Sequence, residues 1–258
     1  MGRVRTTVLD AVRPWWRAAS LVGITGGMGT IAEAHMAMRA AEERAEVWDF
    51  YYRRWARALL MAFGVHVLGA ARSPTSPDRA RLVVANHRSP LDIAILVAAF
   101  GGQVLSRADL ATWPVLGRAA RIAGTIFVDR EDGASGARAI RAIRERLRAK
   151  KTVIVFPEGT TFAGDEVRPF RAGAFVAAKG LDVEIVPVGL AYPPGAEWTE
   201  PSFMAHVRRV AERPDLRVGF ASSEGFTSTS PRDDAARAQA EVQARVHEAR
   251  AQLERGEK

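Results

Sequence analysis

The hydrophobic pattern changes character along the chain. Up to about residue 70 the apolar positions recur at helical spacing; beyond it, short apolar runs alternate with longer helical stretches. Fifteen uncharged residues, Ala18 to Ala32, lie between Arg17 and Glu33, diluted by Gly23, Gly26, Gly27 and Gly29. That is short of the roughly 20 residues a helix needs to span a bilayer. From about Ala41 to Phe63 a second helix is predicted, with Trp48, Tyr52, Trp55, Leu59 and Phe63 at helical spacing and Arg53, Arg54 and Arg57 beside or opposite them. Such a stripe suits either a protein core or a lipid surface. Trp15 and Trp16 between Arg13 and Arg17 suit a membrane interface, and the arginines favour the lipid reading.

Ala71–Asp78 is rich in Pro and Ser and reads as a connection. It divides the chain into residues 1–70, an amphipathic helical segment for membrane association, and residues 71–258, an α/β domain. Strands are predicted at Leu82–Ala85, Gln103–Ser106, Thr125–Val128, Thr152–Phe156, Val183–Val188 (interrupted near its end by Pro187) and Leu216–Phe220. Between them Asp109–Ala123 is helical or irregular, Gly133–Lys151 is a helix, and Glu166–Lys179 is a loop leading into one. Pro193–Pro201 is a loop, and Ser230-Pro231 opens a polar C-terminal helix. Alternating strands and helices predict an α/β fold: a central mostly parallel or mixed sheet flanked by helices and preceded by the helical pair. The helix at Gly133–Lys151 carries Arg138, Arg141, Arg144 and Arg148 on its outer face, which suits plain solvation or lipid headgroups.

Three strand ends carry polar turns, the usual place for a site in α/β folds. The first is Asn86-His87-Arg88-Ser89-Pro90-Leu91-Asp92. Ser89 is a suitable N-cap, Pro90 suits the first helical position, and Asp92 falls three residues after the cap, a variant capping box. Residues five apart on one helix lie about 140° apart around the axis. A bent turn can instead bring His87 onto Asp92. A histidine so paired has a fixed tautomer, and its other nitrogen can take a proton from a hydroxyl. Asp92 also suits a plain helix cap and His87 a polar loop, and the spacing alone does not separate the two accounts.

Composition narrows the chemistry. The 258 residues include no cysteine, so neither disulfides nor a thiolate metal site are available, which fits a reducing compartment. The histidines, His35, His66, His87, His206 and His247, have no metal-ligand spacing. No Gly-x-Ser-x-Gly elbow is present to supply a serine nucleophile. The net charge of +8, mostly from arginine, favours anionic lipid, phosphorylated substrates or nucleic acid; arginine-rich codon usage produces the same balance. Met1–Arg17 is basic throughout and lacks the compact apolar core of a secretory signal.

The first turn, Gly124-Thr-Ile-Phe-Val-Asp129-Arg130, Phe156-Pro-Glu158-Gly159-Thr160 and Ile185-Val-Pro187-Val188 together resemble, in order, the four sequence blocks of the glycerolipid acyltransferases, the 1-acylglycerol-3-phosphate acyltransferase family. The resemblance covers about residues 65–195. It implies transfer of a fatty acyl group from acyl-CoA or acyl-carrier protein, as co-substrate rather than cofactor, to a glycerolipid hydroxyl. His87 would be the general base and Asp92 its orienting partner, without an acyl-enzyme. Arg130 would bind a phosphate of the acceptor, with a strand-end salt bridge as its other reading. Glu158 would hold basic or hydroxyl groups or anchor its own turn. Gly159 and Thr160 would help to shape the substrate region.

Two departures matter. The third block commonly continues to arginine, and Thr161 stands there; Arg168 or Arg171 are the replacements at hand. Arg107 stands where lysine is common after the first block. The implied acceptor is 1-acylglycerol-3-phosphate, giving phosphatidic acid, with a lyso-ornithine lipid, another lyso-lipid or glycerol 3-phosphate as alternatives. A non-catalytic basic lipid-binding protein is the reading outside this class, and nucleic-acid binding rests on charge alone. The lipid substrates imply a peripheral or monotopic place on the cytoplasmic face of the cell membrane.

Overall fold

The apolar run before the histidine turn is the central strand of a mixed eight-stranded sheet. The computed structural model describes residues 8–71, 79–113, 116–129, 132–200 and 202–256. The chain begins with α1 (Val8–Ala37), α2 (Arg44–Ala62), β1 (Val65–Leu68), β2 (Ala80–Ala85), α3 (Leu91–Phe100) and β3 (Gln103–Arg107). A 3-10 turn (Ala108–Thr112), α4 (Leu116–Ile122), β4 (Ile126–Val128), α5 (Gly133–Arg148), β5 (Thr152–Val155) and α6 (Gly173–Ala178) follow. It closes with β6 (Val183–Ala191), α7 (Phe203–Glu212), β7 (Leu216–Ser222), β8 (Phe226–Thr227) and α8 (Pro231–Gly256).

The strand order is β1-β7-β6-β2-β5-β3-β4, with β8 paired to β6. β2 lies parallel to both β5 and β6, while β7 and β8 run antiparallel to β6. Both faces of the sheet are covered, so β2 reads as a continuous apolar run rather than an alternating one. Val83 and Ala85 enter a core shared with α2, α3 and α7; Leu82 and Val84 enter the opposite core with α5, α6 and α8.

Four elements differ from the sequence reading, the two-residue β8 among them because no strand was predicted there. Val65–Leu68, placed there in the helical segment, is an edge strand parallel to β7. A four-residue apolar run is too short to register by periodicity. β6 does not break at Pro187 but runs through it to Ala191. Glu184 and Ile185 pair with β8 and residues 188–191 with β7, so Pro187 sits where the antiparallel partner changes and its missing N–H removes no ladder bond. α7 was not predicted at all. The connection at Ala71–Asp78 falls, from residue 72 onward, outside the described residues.

α1 and α2 are not a detached segment. Tyr52, Ala56, Leu60 and Phe63 of α2 are buried in the same core as α3 and the sheet. Arg17 of α1 is 3% exposed. Its guanidinium donates to carbonyls of Ala62, Ala211, Arg213 and Pro214 at the ends of α2 and α7. Those are the groups a helix C-terminus leaves without intrahelical partners. On the other face, α8 crosses the sheet so closely that a Cβ at Gly189 or Gly219 would lie 2.2 or 2.0 Å from its backbone.

Candidate active site

Three adjacent strands deliver the site. β6, β2 and β5 are parallel neighbours, so the residues following them emerge side by side. Asn86 closes β2: its side-chain amide donates to the Leu190 carbonyl at 2.8 Å and accepts from the Leu190 N–H at 2.9 Å, extending the pairing to β6 by one side chain. The chain then turns through His87–Pro90 into α3.

The turn is bent as the pairing requires. His87 Nδ1 lies 2.8 Å from Asp92 Oδ2. The same oxygen accepts from the backbone N–H groups of Arg88 at 2.6 Å and Ser89 at 2.8 Å. The other oxygen, Oδ1, accepts from the Tyr192 hydroxyl at 2.6 Å. Asp92 is fully buried and every one of these partners is a donor. The His87 Nδ1 must therefore carry its proton, which leaves Nε2 as an acceptor. Burial, then the nearby Asp92 charge and the hydrogen bond to it, raise the Tyr192 phenol well above the ordinary tyrosine value. It stays a donor at any working pH.

Asp92 reaches back to the Ser89 N–H, and the Ser89 hydroxyl accepts from the Leu91 N–H at 3.3 Å, so the reciprocal bonds of the capping box are made. The N-cap is Pro90, with helical dihedrals, and the Ser89 hydroxyl faces His206 Nε2 at 2.9 Å. Capping by the carboxylate and orientation of the histidine are thus one arrangement, since a single carboxylate oxygen serves both.

Glu158 braces this turn from β5. Oε2 accepts from the His87 N–H at 2.7 Å and from Arg88 Nη1 at 2.9 Å, and Oε1 accepts from the Arg168 N–H at 2.9 Å. Its side chain is fully buried, so the role expected for it toward substrate is taken by the protein itself. Arg88 is buried with it and also donates to the carbonyls of His87, Gly164 and Glu166. Phe156 stacks on the His87 ring at 4.1 Å, with 17° between planes. Ring and backbone of His87 are fixed by the end of β5, and its partner carboxylate by the end of β6.

The loop after β5 lies against the histidine, with the Phe162 N–H donating to the His87 carbonyl at 3.1 Å. Gly159 turns at φ +84°, a conformation glycine adopts freely, and a Cβ there would lie 2.8 Å from Arg171 Nε. Gly159, Thr160 and Arg171 are therefore together, with Thr160 and Arg171 exposed and Thr161 half-buried. Arg168 is exposed over the Phe162 ring at 5.4 Å. Arg107 forks onto Asp109 at 3.0 and 3.1 Å. Arg130 lies outside the described residues.

An apolar cavity of about 180 Å³ opens between α1, α2, α3 and α7. Met28, Gly29, Trp55, Ala94, Val104 and Val207 are among its walls, and Pro90 and Leu91 bring it to the histidine turn. The sequence reading missed Tyr192, His206, Arg88, Asn86 and Phe156. Asn86, Arg88 and Phe156 stand within the strand-end turns, and His206 follows a helix-start signal: Ser202 caps α7 by accepting from the Ala205 N–H at 3.2 Å, and Ser/Asx before an apolar period marks a helix start.

The chain resembles known proteins in sequence and in fold. A family model described as Acyltransferase matches residues 65–191. The chain is 35% identical over 182 residues to the lyso-ornithine lipid O-acyltransferase of Pseudomonas aeruginosa, covering 68% of this chain and 67% of that protein. It is 32% identical over 136 residues to the 1-acyl-sn-glycerol-3-phosphate acyltransferase of Neisseria meningitidis serogroup B, covering 53% of each. The match thus spans about half the length of that second relative. The crystal structure of the 1-acyl-sn-glycerophosphate (LPA) acyltransferase PlsC from Thermotoga maritima superposes with a TM-score of 0.71, over 95% of this chain and 96% of that one. At 21% identity that likeness speaks for the fold alone.

Proposed function

The chain belongs to the acyltransferase family as an O-acyltransferase, and on that premise we propose that it moves a fatty acyl group from acyl-CoA or acyl-carrier protein to the free hydroxyl of 1-acylglycerol-3-phosphate, giving phosphatidic acid. The observation that carries the reading is the 2.8 Å pair of His87 Nδ1 with the buried Asp92. His87 Nε2 takes the acceptor hydroxyl proton as the oxygen attacks the thioester carbonyl. Asp92 holds the ring and stabilises the imidazolium that forms. The tetrahedral oxyanion collapses with loss of the thiolate, which recovers the proton from His87. Backbone N–H groups near the Glu158–Thr160 turn are the natural oxyanion donors.

The apolar cavity suits a hydrocarbon chain, and its position at Pro90 and Leu91 fits an acyl carbonyl reaching His87. Arg171, and Arg130 from its motif, are the groups proposed for the acceptor phosphate, since guanidinium binds phosphate through paired hydrogen bonds. Gly159 keeps the turn open beneath the Arg171 guanidinium, and the exposed Thr160 follows it in the chain.

The N-terminal helices are proposed to rest on the membrane surface. Val12, Trp15, Trp16, Val22, Ile31, Met38, Phe50 and Met61 expose large apolar side chains there, against only Val176 and Met204 elsewhere among the described residues. Among those residues no helix is long and apolar enough to cross a membrane. We propose an interfacial place, on the cytoplasmic face as the lipid substrates imply, because the apolar side chains exposed on the helix pair suit a bilayer surface.

A second acceptor has its own support. Thr161 stands where an arginine is expected, and the relative from Pseudomonas aeruginosa is named for a lyso-ornithine lipid. The test is thiol release by the purified enzyme from one labelled acyl-CoA with 1-acylglycerol-3-phosphate, lyso-ornithine lipid and glycerol 3-phosphate in turn. Turnover with the first, lost in His87→Ala while liposome binding persists, supports the proposal. Turnover with lyso-ornithine lipid alone replaces the acceptor. Undiminished transfer by His87→Ala removes the base.

A further inference from the structure

The chemistry above makes no use of a second buried histidine. His206, on α7, is 1% exposed. Its Nε2 lies 2.9 Å from Ser89 Oγ and its Nδ1 3.2 Å from Glu200 Oε2. Trp198 stacks on the ring at 5.9 Å, and Arg209 pairs with Glu200. With Nδ1–H given to Glu200, Nε2 accepts and the Ser89 hydroxyl donates. Burial holds the imidazole below its ordinary value, which keeps it in this neutral form.

Serine, histidine and carboxylate in this order match the geometry of an activated nucleophile. Exposure decides against that role: Ser89 is 0% exposed. Its hydroxyl also accepts from the Leu91 N–H at 3.3 Å. What Ser89 does offer is its own backbone N–H, which donates to Asp92 Oδ2 at 2.8 Å. The residue is thus gripped at its hydroxyl by α7 and at its amide by the carboxylate that orients His87. The same His206 ring lines the apolar cavity. A wall that meets hydrocarbon is therefore tied by one side chain to the catalytic turn.

We infer that His206 is a positioning residue for acyl transfer: by holding Ser89 from α7 it fixes the turn on which Asp92 meets His87. The inference rests on His87 acting as the base. Its effect belongs in turnover, because a misplacement of about 1 Å at a reacting group costs about 10²-fold in rate.

The experiment compares wild type, His206→Leu, His206→Gln, Ser89→Ala and the His206→Leu/Ser89→Ala double variant, with His87→Ala as reference. Each is assayed for kcat and for KM of the acyl donor, with cooperative thermal unfolding as the check on folding. Expected are losses of kcat of about 10-fold to 10²-fold in His206→Leu and in Ser89→Ala, with KM within about threefold of wild type. Glutamine, which still offers an acceptor, should recover most of the loss. The double variant should be no worse than the worse single one, since both break one connection. Full kcat in folded His206→Leu, losses that multiply in the double variant, or an effect confined to KM would each overturn the inference. If His206→Leu does not fold, Ser89→Ala at full kcat overturns it, and a loss confined to kcat there upholds it. An active His87→Ala would instead remove the base on which the inference stands.

Discussion

The Tyr192 hydroxyl donates at 2.6 Å to Asp92 Oδ1, the carboxylate oxygen that His87 leaves free. The residues are 100 positions apart, and Tyr192 follows β6 directly. Tyr192→Phe keeps the ring and strands a buried acceptor, at a cost of about 1–3 kcal/mol. Reduced stability in urea with an unchanged slope, together with a lower kcat, is the expected result. Equal stability would mean that another donor reaches Oδ1.

Glu158→Gln tests the bracing role. Three donors face its carboxylate, so an amide must turn its own NH2 toward at least one of them. The pair with Arg88 is fully buried, and breaking such a pair costs about 3–5 kcal/mol. Urea unfolding should register the loss, and His87 should lose activity with it. A variant of normal stability with a raised KM for the acceptor alone would return Glu158 to the substrate.

Gly29→Leu separates cavity from fold. A Cβ at Gly29 meets nothing within 4 Å, and the residue lines the apolar cavity from within α1. Leucine in place of a helical glycine should raise stability by about 0.5–1 kcal/mol. It should also favour shorter acyl donors over longer ones in competition assays. An unchanged chain-length profile would move the acyl chain out of this cavity.

His206 gives a stability signature with a defined sign. Burial pushes it below the ordinary histidine value of 6.5; Glu200 and Asp92 favour the proton and Arg209 opposes it. Stability is full above 6.5 and falls as the pH drops from there toward the lower folded value, because only the unfolded chain takes up the proton. Thermal unfolding between about pH 7.5 and about pH 5.5 should therefore fall more steeply for wild type than for His206→Gln. Parallel curves would refute the burial effect.

Much of this site could be read from its strand ends. His87, Asp92 and the Glu158–Thr160 turn stand in short local patterns that sequence displays directly. Their partners do not. Tyr192, His206 and Asn86 act through contacts spanning about a hundred residues, 100, 117 and 104 positions respectively, where no local periodicity points. Glu158 shows the other difficulty. A carboxylate in a polar turn suits substrate contact or the anchoring of its own turn, and its burial with Arg88 favours the brace. β1 escaped because four residues are too few to show a strand period, although Gly64 ends the helix before it.

Arg17 sets how the N-terminal helices can move. It gathers carbonyls from the ends of α2 and α7 onto a side chain of α1. Lifting α1 away at that point would leave a guanidinium and several carbonyls without partners, so this corner behaves as a clasp. Farther along α1, Thr25 accepts from Trp55 Nε1 at 3.1 Å, Glu33 pairs with Arg118 at 3.2 Å and His35 meets Tyr51 at 3.4 Å. The short connection at residues 38–43 joins the His35 end of α1 to the start of α2, so the helix pair is clasped at both ends, by Arg17 at one and by the chain itself at the other. A hydrocarbon chain entering from a lipid surface therefore meets a wall whose two helices are pinned at both ends and open only between them.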